Sequence, residues 1–93
     1  MSNEELIAEA EIGDEARKFV TSDLGKTLLG MAHQDISDAQ MGLEEVDPED
    51  SKAIRSLQNK AKIARNFESW LVELISKGEN AITVWGQNKN AES

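Results

Sequence analysis

The chain has no cysteine and no tyrosine, one proline, and aromatic residues at only 4% of its 93 positions. Without cysteine there is no disulfide scaffold, no thiolate zinc site and no thiol nucleophile. One proline and six glycines are too few for a turn-rich β architecture or a disordered tract. No apolar run exceeds a few residues and the N-terminus is polar, so the sequence predicts neither a membrane span nor a signal peptide. Basic residues are also short: ten against eighteen acids, for a net charge of −8. That balance disfavours binding of a nucleic-acid duplex, whose phosphates must be neutralised. What remains is a small acidic protein, rich in alanine, leucine, glutamate and lysine, expected to be soluble and intracellular and not secreted through a signal peptide. At this size folding hides roughly 64% of the unfolded chain's surface, a thin core.

Apolar spacing predicts an all-α chain. Leu24, Leu28, Ala32, Ile36, Ala39, Leu43 and Val46 recur every three or four residues, giving a helix over 23–46. In Val46-Asp47-Pro48-Glu49-Asp50, Asp47 can cap free amides and Pro48 suits a first helical position, so a second helix is placed from 48. Ile54, Leu57, Ala61, Ala64, Phe67, Leu71 and Leu74 carry it to 77, where Lys77-Gly78 reads as a basic last turn and a glycine stop. Upstream, residues 3–21 read as a shorter helical segment interrupted at Gly13-Asp14. Residues 79–86 are ambiguous, helical by spacing but β-branched at Ile82-Thr83-Val84, and 87–93 read as a flexible tail. The whole of 1–86 is taken as one domain.

Two long helices with so short a connection are expected to lie antiparallel, as a hairpin, with Ala39 near Leu57, Ile36 near Ala61 and Ala32 near Ala64. Gly25, Gly30 and Gly42 each cost about 1 kcal/mol in a helix interior relative to alanine. Either close backbone approach compensates for that cost or the glycines are simply tolerated near frayed turns. The later helix has more apolar surface than this seam can cover: Ile63, Phe67, Trp70 and Leu74 form a flanking row widened by Leu71 and Ile75. Trp70 in particular is expected in the core. The N-terminal segment, through Leu6, Ile7, Phe19 and Val20, should cover part of the row and a second copy the rest, giving a homo-oligomer, a dimer or larger. Trp85 either pins the chain end to the bundle or anchors an unidentified protein partner.

Charge is unevenly spread. Residues 1–50 hold fourteen acids and three bases, residues 51–93 four acids and seven bases. Lys52, Arg55, Lys60, Lys62 and Arg65 fall in a stretch without any acid. The plain expectation is pairing with acids on a neighbouring helix. The sharper one is an anion site on Lys52, Arg55, Asn59 and Lys62, with Asn66 on the same face, able to hold a nucleotide. Nothing else points to chemistry. The single His33 has no triad partners, His33, Asp35 and Asp38 do not share a helical face, and no metal-binding or phosphate-loop motif is present, so no enzyme activity, metal or cofactor is expected. His33 is read as solvated, and Asp35 as an exposed acid or a polar seam residue facing Lys60 or Lys62.

Phe19-Val20-Thr21-Ser22-Asp23-Leu24-Gly25 with Leu28-Leu29, the Val46–Asp50 turn, and Leu57-Gln58 through Phe67, Trp70-Leu71 and Gly78 resemble small helical proteins encoded by tailed bacteriophages and prophages. The resemblance covers about residues 16–81. It implies a viral origin and a helical hairpin, but no activity and no catalytic residue. Two roles are consistent with it: an oligomerising phage accessory or virion-assembly protein, or an inhibitor of host defence that sequesters a nucleotide or acts as an acidic nucleic-acid decoy.

Overall fold

The structure, a computed structural model, describes residues 2–92. Among them there are three α-helices and no strand: α1 (Asn3–Thr21), α2 (Asp23–Glu45) and α3 (Ser51–Glu92). No helix is long and apolar enough to cross a membrane among the described residues. The chain divides into two units, one of Met1–Ser22 with Trp70–Ser93 and one of Asp23–Ser69. Helix α3 contributes to both.

Helices α1 and α3 begin where the sequence supplies an acceptor for free amides. Ser2 caps α1, its Oγ accepting from Glu5 N at 3.2 Å, with Glu4 and Glu5 facing the positive helix end. Ser22, extended at φ −75° and ψ 160°, separates α1 from α2 and returns its N–H to the Phe19 carbonyl at 3.0 Å. The turn after α2 differs from expectation. Asp47 Oδ1 accepts from Glu49 N at 2.9 Å, and Asp50 N donates to the Asp47 carbonyl at 2.9 Å, which places Pro48 inside a turn and not in the first helical turn. A fixed proline φ serves the second position of such a turn equally well. Asp50 is the cap of α3, its Oδ1 accepting from Ala53 N at 3.0 Å, so that helix starts three residues later than Pro48.

The unit formed by Asp23–Ser69 is closed by small residues. Gly25, Ala32 and Ala39 of α2 and Ala61 and Ala64 of α3 are buried. Gly42 accommodates Leu57: a Cβ built on it would lie 2.8 Å from Leu57 Cδ2. Asp35 Oδ1 stands 4.0 Å from Lys60 Nζ, and His33 Nε2 donates to Glu68 Oε2 at 2.9 Å. Numbers fall along α2 as they rise along α3, so the two run in opposite directions here. His33, read as solvated, is exposed and also pairs with Glu68, and Asp35 is an exposed acid that faces Lys60.

In the other unit, α1 packs on the last part of α3 around two glycines. Gly13 and Gly78 are both buried in helix, and neither has positive φ. A Cβ on Gly13 would lie 2.7 Å from Gly78 Cα and 3.0 Å from the Leu74 carbonyl; one on Gly78 would lie 2.8 Å from Gly13 Cα. The expected break at Gly13-Asp14 and stop at Gly78 are therefore corrected. These residues use glycine's missing side chain, not its wide conformational range. Leu6, the largest fully buried side chain, and the buried Ala16 and Ala81 flank the contact. Arg17 and Glu79 form an exposed ion pair across it, a contribution of about 0–1 kcal/mol. On α1 itself, the Asp14 carboxylate accepts a hydrogen bond from Lys18 at 2.9 Å and holds that ammonium above the ordinary lysine pKa.

With Gly78 seated on Gly13, α3 has no reason to end there. It runs on through Ile82-Thr83-Val84, where Thr83 Oγ1 donates to the Glu79 carbonyl at 3.1 Å, a helical use of a β-branched residue. Most of the expected loose tail is also helical; its last residue, Ser93, lies outside the described residues.

Candidate functional site

The six residues expected to form the core and the self-association surface separate by exposure. Leu71 and Ile75 are half-buried, and Ile75 borders Ala10 and Gly13. Leu74 is exposed, beside Ala8 and Ile12. Phe67 is half-buried and shares an apolar groove with Leu28, Met31 and Ile63. Ile63 is 70% exposed and Trp70 62% exposed. Trp70 is not in the core of the single chain, contrary to expectation. The buried or half-buried face near it carries Leu71, Ile75, Gly78 and Ala81, and a one-residue offset on a helix turns a side chain by about 100°.

The core itself is built almost wholly from alanine. Among the described residues the buried hydrophobic ones are Leu6 and six alanines, whereas Ile7, Ile12, Leu24, Met31, Met41, Ile63, Trp70, Val72, Leu74, Ile82 and Trp85 are exposed. Fully burying one such large side chain is worth about 1.5–3 kcal/mol, far more than an alanine methyl supplies. Trp85 borders a groove with Leu6, Ile7 and Ile82, and Lys89 Nζ lies 5.1 Å from its ring centroid, a cation–π contact. It is partly packed on its own unit while 38% of it remains open.

The basic stripe also divides. Lys52 and Arg55 stand on open helix surface, whereas Asn59 and Lys62 line a groove of about 460 Å³ in the Asp23–Ser69 unit, together with Gln40, Gln58, Arg65 and Asn66. Leu43 and Ala61 supply its apolar part. The expected pairing with acids of a neighbouring helix is seen at one of the five bases: among the described residues Lys60 pairs with Asp35 of α2, and no ion pair is formed by Lys52, Arg55, Lys62 or Arg65. Arg65 and Gln58 were not assigned to the stripe by sequence, although Gln58, Lys62 and Arg65 at spacings of four and three trace one ridge of the helix.

No group of three or more His, Cys, Asp or Glu suited to a metal ion is present among the described residues. Comparison with protein-family models, with curated proteins and with solved structures gives no match.

Proposed function

We propose that this chain is a non-enzymatic helical interaction protein that acts by self-association, a helical hairpin with an added N-terminal helix whose packing is completed by further copies. One observation carries the reading: among the described residues the buried hydrophobic side chains are six alanines and one leucine, while eleven large apolar side chains are exposed. Exposed Met31 and Ile63 line one groove with Leu28 and Phe67, and contiguous apolar surface of that kind marks an interaction site. A second copy suits it because each chain brings both charge signs, an acidic first half and a basic second half, so two chains can meet with unlike charge opposed. The resemblance of residues 16–81 to tailed-phage proteins supports an accessory or virion-assembly role in a bacterial host.

Sedimentation across micromolar concentrations tests the reading. Wild type is expected to associate. Ile63→Glu should shift it toward monomer with helicity kept, since Ile63 is already exposed in the single chain. A wild type that stays monomeric throughout removes the proposal.

A further inference from the structure

We infer that the groove lined by Gln40, Gln58, Asn59, Lys62, Arg65 and Asn66 binds the phosphate of a nucleotide-sized small molecule, within one chain and independently of self-association. The chain carries eighteen acids, yet no carboxylate lines this groove. Four other surface grooves differ: Glu11 and Asp14 line one, Glu9 a second, Asp14 and Glu79 a third, and Asp35 a fourth. Lys62 and Arg65 have no ion pair among the described residues, so two cations share the groove without neutralisation. An entering anion relieves that like-charge pairing. Arg65 offers a planar fork matched to phosphate oxygens and Lys62 a point charge.

The remaining lining narrows the ligand class. Side-chain amides both donate and accept, which suits the mixed edges of a base or sugar beside the phosphate. Leu43 gives such a ligand an apolar surface to lie against. A volume of about 460 Å³ falls within the range of small-molecule sites. An extended strand fits worse, because the groove has no aromatic platform and the molecule's net charge of −8 repels a long polyanion.

Calorimetric titration of the full chain with ADP, and separately with inorganic pyrophosphate, tests the site. Saturable binding of one ADP per chain is expected, with pyrophosphate competing for it. Lys62→Gln and Arg65→Gln should each weaken ADP binding about tenfold, and Lys52→Gln, outside the groove, by less than about threefold, with helicity unchanged. Ile63→Glu should retain ADP binding, so failure of self-association leaves this result readable. The inference is overturned by absence of saturable binding up to about 5 mM ADP. It is equally overturned by equal losses in Lys52→Gln and Lys62→Gln, which mark general charge attraction, or by tighter binding of a short oligothymidylate than of ADP.

Discussion

Replacing Gly13 with alanine sets two effects of opposite sign against each other. In a helix interior alanine is favoured over glycine by about 1 kcal/mol, so an uncrowded substitution stabilises. At Gly13, however, the new methyl would lie 2.7 Å from Gly78 Cα and 3.0 Å from the Leu74 carbonyl. Both obstacles are backbone, which has no rotamer to change, so α1 and this part of α3 must move apart. Overpacking of that kind costs about 1–3 kcal/mol and occasionally more. Separation also loosens the neighbours Leu6, Ala16 and Ala81, so the balance falls on the destabilising side, at about 1–2 kcal/mol. In a chain of this size that lowers Tm by roughly 4–16 °C. Gly78→Ala should behave alike, and the double variant should cost less than the two together, since one clash already parts the helices. Gly30 is the control: nothing lies within 4 Å of a Cβ built there, so Gly30→Ala should raise stability by up to about 1 kcal/mol. Thermal and urea melts followed by circular dichroism, all at one chain concentration because association raises Tm, read these differences. The reasoning fails if Gly13→Ala is as stable as Gly30→Ala.

Two further substitutions probe the ends and the core. Leu6→Ala removes the largest fully buried side chain and should cost about 2–3 kcal/mol in a denaturant melt; a loss under half that would mean α1 is not held by its apolar face. Asp50→Ala frees the Ala53 amide from its cap and should cost about 1 kcal/mol, whereas Pro48→Ala, which leaves that cap in place, should cost less. Reversal of that order, read by the same melts, would return the start of α3 to Pro48.

Much of the helical layout was legible because it rests on local rules. Spacing put Ala32, Ala39, Ala61 and Ala64 on a buried seam, and the predicted helix over 23–46 ends within one residue of α2. Legibility failed where a residue's meaning depends on a partner far along the chain. Gly13 beside Asp14 reads as a break and Gly78 after Lys77 as a stop until each is found facing the other. Trp70 failed for a different reason: hydrophobicity marks what prefers burial, and a seam this narrow covers only part of what the sequence offers. The basic stripe was visible as composition, but spacing on α3 alone could not show that Gln40 and Leu43 of α2 complete a groove beside it, nor that acids would be missing there.

The facing glycines also bear on how firmly α1 is located along its neighbour. Alanines are near-identical in size, so a track of them resists sliding weakly and several alignments would have similar energy. A notch that admits only two bare backbones works as a detent: shifting either helix of the pair by a turn would bring a residue with a Cβ, Ala10 or Ala16 on α1 and Ile75 or Ala81 on α3, to a place that has no room for one. Alignment is thereby set by exclusion more than by attraction, and a residue type prized for looseness ends up giving this end of the molecule its definite fit.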